Sequence, residues 1–368
     1  MSKEAVIVVD VQDCFLPGGT LATGNIRNTK VKTNLDPSLF ANNNPDKRNT
    51  TSLMATPTKE ELRETSKGLG EATAKFVNER PSDVLVFTSQ DWHPPGHKSF
   101  ASAHNGKNPM ELATNFYTKD QFLKAESDTR KKRFWSKGRR QDQLLWPDHC
   151  LQDTEGSDAN ISSYFLNNLN PDKKSKVQNI IKGNNPGVDS YSVIATAVGQ
   201  FEPYVSSPEN SFKTILEKAA ANLDVIYVTG IARNVCVYSS FMDILNYVTV
   251  PQFKNNNKAT KVVFMYNLTR PVAPNLPNLD ISPQEIKNDA IKLLNAMSVH
   301  SKYHSRLFEI IGDGSNYNTS VTQTVGGRRK SRKVRNSRKT RKTHKSCKKN
   351  HKHTRKCCKK KHRHNCRC

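Results

Sequence analysis

Three residues of this 368-residue chain stand where a thiol could be made to attack carbon: Asp10, Lys182 and Cys236. Asp10 and Lys182 close apolar, β-branched runs (AVIVVD and VQNIIK), and Cys236 follows a third (VIYVT) across the turn GIARNVC. In a parallel sheet the carboxyl ends of the strands share one edge, so groups remote in sequence can meet there. A thiol attacks as its thiolate, which a neighbouring base or cation must support. Asp10 is placed to take the proton and Lys182 to hold negative charge on the pair. A helix whose first turn carries Cys236 would lower the thiol's pKa and offer backbone N–H groups to an oxyanion. Taken singly, each residue has a plain structural explanation: a buried thiol, a turn cap, a solvated ammonium. Their common position at strand ends is what points to catalysis.

A second group lies in QDWHPPGHKSF, residues 90–100, directly after the buried run DVLVFTS. Asp91 and His93 are two residues apart at a strand end, and His97 follows. Carboxylate oxygen with imidazole nitrogen suits a divalent metal such as zinc, iron or manganese. The alternative is a polar strand-to-loop corner.

The elements that must position these groups alternate strand and helix. Apolar runs at 5–10, 83–89, 177–182, 225–229 and 261–266 predict buried strands, with helices predicted over 58–79, 211–221, 234–247 and 282–297. Ser282 and Glu285 form a capping-box pattern at the start of the last helix. The fold class expected is α/β, a doubly wound and mostly parallel sheet flanked by helices. Residues 25–57 and 107–143 lack apolar periodicity and read as surface insertions, the second strongly basic. Residues 1–325 then form one enlarged domain and 326–368 a basic tail.

The charge is uneven. Of the formal net charge of +25, the tail contributes 21 Lys and Arg with no acid, leaving about +4 for residues 1–325. Such a tail cannot bury a core and is expected to be disordered, with non-specific, salt-dependent affinity for nucleic acid. A nuclear address is the plainer reading, and basic tails of this kind also suggest a viral origin and a virion location. The tail's cysteines and histidines lack the paired spacing of a zinc finger. Cys14, Cys150 and Cys236 are too scattered for a disulfide framework, which favours a reducing cytoplasmic or nuclear compartment. No signal peptide or membrane-length apolar run is seen, so no membrane partner is expected.

The chain resembles the nicotinamidase/pyrazinamidase branch of the isochorismatase-like cysteine hydrolases. The residues carrying the resemblance are DVQDCFLPGGTLA (10–22), QDWHPPGHKSFA (90–101), WPDHC (146–150), Lys182-Gly183 with Tyr191-Ser192, and GIARNVCV (230–237), in the family's order. The resemblance implies a catalytic triad of Asp10, Lys182 and Cys236, and a metal held by Asp91, His93 and His149. His97 is either a further ligand or a neighbour. It also implies an oxyanion hole from the N–H groups of Ala232 and Cys236, a cis peptide before Ala232, and Phe15 and Trp146 as walls of the substrate site. The implied reaction turns nicotinamide into nicotinate and ammonia through a thioester, in pyridine nucleotide salvage. Another small amide or carbamoyl substrate, or a nucleic-acid-associated protein with a vestigial enzyme body, are the alternatives. A homo-oligomer is left open. Asp13-Cys14 departs from the family's Asn-Asp, and both insertions lengthen its loops.

Overall fold

The computed structural model describes residues 3–16, 19–21, 59–114, 116–118, 143–153, 160–198, 203–204, 207–272 and 281–312, with 59–67, 203–204 and 207–210 described by backbone alone. The described residues fall in the unit Met1–Gln323; the tail, the 25–57 stretch and residues 119–142 of the basic insertion lie outside them.

Six strands form the central sheet: β1 (Glu4–Val9), β2 (Leu85–Asp91), β3 (Val177–Lys182), β4 (Val225–Ile231), β5 (Lys261–Arg270) and β6 (Phe308–Ile311). Their order is β6-β5-β4-β1-β2-β3, and every pairing is parallel. The continuous apolar run of β1 follows from this position, because both of its faces are covered. Val6 and Val8 pack on one side with Phe76 and Val77 of α1 (Lys59–Asn78). Ala5, Ile7 and Val9 pack on the other with Phe212 and Leu216 of α2 (Phe212–Ala220) and with Ile286 and Leu293 of α3 (Pro283–Ala296). Strand order reverses beside β1, the kind of switch point where open α/β sheets bind ligands. The Ser282–Glu285 capping box is present as expected.

Between β4 and β5 runs a helical stretch longer than the sequence pattern indicates. A π-helical turn at Arg233–Val237 leads into helix Tyr238–Ile244, a second π segment Leu245–Thr249 and helix Val250–Asn256. It stops at Asn257, which takes the left-handed conformation, φ 54°.

Three expectations need correction. β1 ends at Val9, one residue short of the Asp10 expected to close it, because Asp10 turns the chain at φ 48°. The basic insertion is not surface throughout: Leu112–Ala113 pairs antiparallel with Gln143–Leu144, and Tyr117 and Gln143 are buried although Leu112 is exposed. Cys14 and Cys150 form a disulfide with Cα atoms 5.4 Å apart, which removes the cysteine argument for a reducing compartment. A separation of 136 residues hid this pairing, since only the fold brings the loop after β1 against WPDHC. Cys236 is the free cysteine among the described residues. No described helix is long and apolar enough to cross a membrane.

Candidate active site

Register places the first two groups. Val9 pairs with Gly230, so Asp10 leaves β1 beside the turn that leads to Cys236. Gly230 sits at φ 117°, and a Cβ there would lie 2.0 Å from Val9 O, so only glycine lets the two chains approach. Asp91 pairs with Lys182 across β2 and β3. Asp10, Lys182 and Cys236 therefore meet at one sheet edge, all buried.

Lys182 Nζ is the hub of that edge. It lies 2.8 Å from Asp10 Oδ2 and 3.1 Å from Asp91 Oδ1, donates to the Ser190 carbonyl at 3.0 Å, and stands 3.6 Å from Cys236 Sγ. Burial alone would neutralise it, but the two carboxylates outweigh that and hold its pKa well above the usual lysine range. Asp10 Oδ1 accepts the Ser89 hydroxyl at 2.7 Å, and its carboxylate acts on the Cys236 thiol. Burial raises the Asp10 pKa against the opposing pull of Lys182, which makes it a stronger base than an exposed aspartate.

The thiol departs from the sequence-based expectation. Burial raises the Cys236 pKa well above the ordinary thiol value; Lys182 opposes this, and Asp10 and Asp91 reinforce it. The resting group is the thiol. The peptide bond Ile231–Ala232 is cis, as the resemblance implied. Ala232 and Cys236 both line the cavity, placing the backbone expected to form the oxyanion hole at its wall.

Asp91, His93 and His149 converge beside the triad, with one ligand atom from each lying within 4.8 Å of the others. His93 Nδ1 faces the Gly183 carbonyl at 3.0 Å and His149 Nδ1 the Pro147 carbonyl at 2.7 Å. A carbonyl only accepts, so both Nδ1 atoms carry hydrogen and both Nε2 atoms turn inward, where loss of any proton presents a lone pair to a metal. They lie 3.1 Å and 3.6 Å from Asp91 Oδ2. Three acceptor atoms converging in a buried site call for a cation, and two imidazoles with one carboxylate are a suitable donor set for a divalent metal. The residues fit. Burial pulls the His93 pKa down, but Asp91 more than reverses this. Asp91 is itself held well below the usual carboxylate range: burial would raise it, and His93 and Lys182 prevail. Gly183 completes the cradle at φ 68°, where a Cβ would lie 2.5 Å from Asp91 Oδ1.

His97 stands next to this group without joining it. Its Nε2 donates to the Asn185 carbonyl at 2.8 Å, leaving Nδ1 to accept from the Ser99 hydroxyl at 2.7 Å. Both nitrogens are engaged away from Asp91, and burial lowers the ring's pKa.

The cavity over these groups is walled by Phe15 and Trp146, with Leu21, Val235 and Val272 completing its apolar lining. The Phe15 ring lies 5.5 Å from that of His149. Cys14 and Cys150, each the chain neighbour of one of these residues, are joined by the disulfide. Asp189 and Tyr191 also line the cavity, and neither was singled out for a role from residue chemistry. Tyr191 itself belonged to the Tyr191-Ser192 pair that carried the resemblance, and the only sequence signal for Asp189 was its place just before that pair.

No protein-family model matches the chain. Among curated proteins, it is 28% identical to the nicotinamidase of Acinetobacter baylyi over 163 residues, 44% of this chain and 56% of the relative. It is 30% identical to the nicotinamidase of Escherichia coli (strain K12) over 162 residues, with the same two coverages. The chain spans about half the length of the curated relatives it matches. Solved structures similar to it include the yeast nicotinamidase Pnc1p bound to the inhibitor nicotinaldehyde, at 17% identity, 84% of this chain, 100% of that one and a TM-score of 0.49. Another is the pyrazinamidase of Pyrococcus horikoshii in complex with zinc, at 18% identity, 84% and 99% coverage and a TM-score of 0.36.

Proposed function

We propose that this chain, a distant homologue of the nicotinamidase/pyrazinamidase, isochorismatase-like hydrolases, is a cysteine amidohydrolase that converts nicotinamide to nicotinate and ammonia. The observation that carries the reading is the meeting of Asp10, Lys182 and Cys236 with Asp91, His93 and His149 at one cavity. Phe15 and Trp146 hold a flat ring between them, and the carboxamide carbon faces Cys236. Asp10 takes the thiol proton as sulfur bonds to that carbon, so the thiolate never stands free in a site that disfavours it. The oxyanion rests on the N–H groups of Ala232 and Cys236. Asp10 returns its proton to the departing ammonia, then activates the water that cleaves the thioester. Lys182 stays protonated throughout and offsets the charge of two carboxylates. Asp91, His93 and His149 would hold a divalent ion, zinc first and iron or manganese otherwise, which would supply Lewis acidity to orient the ring.

Ammonia release from nicotinamide by the purified chain tests the reading, and release that survives Cys236→Ala overturns it. A panel of other small amides and carbamoyl compounds, with and without chelator, separates the substrate alternatives. The basic segment 326–368 we assign to polyanion binding: its deletion removes low-salt nucleic-acid binding and leaves turnover in place.

A further inference from the structure

Asp189 is a carboxylate in the cavity wall that the hydrolytic scheme leaves without a task. It is 2% exposed and lines the same cavity as Cys236, Ala232 and Asp91. Hydrogen-bond polarity defines its state. Oδ1 accepts the Ser190 N–H at 2.7 Å, and Oδ2 accepts Gln143 Nε2–H at 2.9 Å. Gln143 cannot turn its amide over, because its Oε1 accepts the Tyr117 hydroxyl at 2.8 Å, and that hydroxyl in turn accepts the Asp189 N–H at 3.1 Å. Both carboxylate oxygens therefore face donors, as an ionised group requires. No lysine, arginine or histidine among the described residues forms an ion pair with it, and Lys182 is committed to Asp10 and Asp91. Its field reaches across the site: next to burial, it is the main cause raising the Tyr191 phenol.

A buried negative charge with no ion-pair partner among the described residues acts on any ligand charge nearby. The substrate and product of amide hydrolysis differ in just this respect, a neutral carboxamide against a carboxylate anion. We propose that Asp189 is a specificity residue, held by Gln143 and Tyr117, that makes the cavity prefer the neutral amide and expel the product anion. The inference rests on the amidohydrolase reading for its choice of ligands.

The test compares the Km for nicotinamide with the inhibition constant of nicotinate in the full-length, metal-loaded chain, in Asp189→Asn and in Asp189→Asn with Gln143→Glu. Metal content is measured on each. In the unmodified chain nicotinate should bind about tenfold or more weaker than nicotinamide; equal affinities overturn the proposal whatever the variants do. In Asp189→Asn the ratio of nicotinate inhibition constant to nicotinamide Km should fall about tenfold at unchanged metal content. The double variant restores a carboxylate–amide pair with the roles exchanged and should recover most of the ratio. Parallel changes for both ligands, as a merely structural role would give, overturn the proposal. A chain that releases no ammonia from nicotinamide defeats the amidohydrolase reading instead. Calorimetry with nicotinate alone then decides the matter: tighter binding by Asp189→Asn supports anion exclusion, and equal binding overturns it.

Discussion

Asp91 and Lys182 are register partners on adjacent parallel strands, and their side chains meet with Nζ 3.1 Å from Oδ1. The same ammonium lies 2.8 Å from Asp10. One lysine thus joins the carboxylate proposed as acid and base for the thiol to the carboxylate proposed as a metal ligand. Neither half of the site is electrostatically complete without it.

Lys182→Met tests that dependence. Removing the cation leaves two carboxylates buried near each other, a loss of about 3–5 kcal/mol by comparison with other broken buried pairs. Urea denaturation should show this destabilisation, and turnover should disappear with it. The pH dependence has a definite sign. Lys182 is raised above its ordinary value of 10.5, so its contribution is fully present below that pH and is lost as pH rises through the higher folded value. The unmodified chain should accordingly lose stability at strongly alkaline pH, and Lys182→Met should lack that component.

Gly183→Ala probes the metal cradle from outside its ligands. The added methyl would collide with Asp91 Oδ1 at 2.5 Å, and φ 68° strains any side chain. The same residue's carbonyl orients His93. Metal affinity, read by chelator competition, should fall about 10–100-fold. A small change in affinity would mean that His93 is oriented by other contacts.

Much of this site was legible in the sequence because its groups sit at the ends of unmistakable strands. VQNIIK is β3 residue for residue, and Lys182 closes it. What stayed hidden depends on chain crossings that local pattern does not encode. The Cys14–Cys150 pairing spans 136 residues. Gln143 looked like the polar end of an insertion, yet it is buried because Tyr117 and Asp189 satisfy its amide. The Cys236 pKa was misread for a related reason: a helix start favours thiolate, but complete burial between two carboxylates outweighs it. His97 was left open, and the Asn185 carbonyl that engages it comes from a loop 88 residues away.

The raised thiol pKa makes its own prediction. Cys236 should react with iodoacetamide near neutral pH more slowly than a free cysteine, because its thiolate is scarce. Turnover should nevertheless proceed at that pH, since Asp10 removes the proton only as sulfur attacks. The acid limb of kcat/Km should report Asp10, displaced upward from the ordinary value of 3.8, with activity rising as the carboxylate ionises. Fast alkylation with no change between pH 6 and 9 would contradict a resting thiol.

The Cys14–Cys150 disulfide joins the chain neighbours of Phe15 and His149, one an aromatic wall and the other a metal-group imidazole. Opening it frees a long loop in the unfolded chain and releases two walls of the cavity from each other. Cys14→Ser should lower stability by about 2–4 kcal/mol. With roughly 2.1 cal/mol/K of unfolding entropy per residue, a domain of this size should lose roughly 3–6 °C in Tm. Treatment with a phosphine reductant should reproduce the fall in the unmodified chain and add nothing to the variant. Because Phe15 and His149 would no longer be tied, Km for a ring substrate should rise more than kcat falls. A reductant that lowers the Tm of Cys14→Ser equally would show that another bond, outside this pair, is the one being opened.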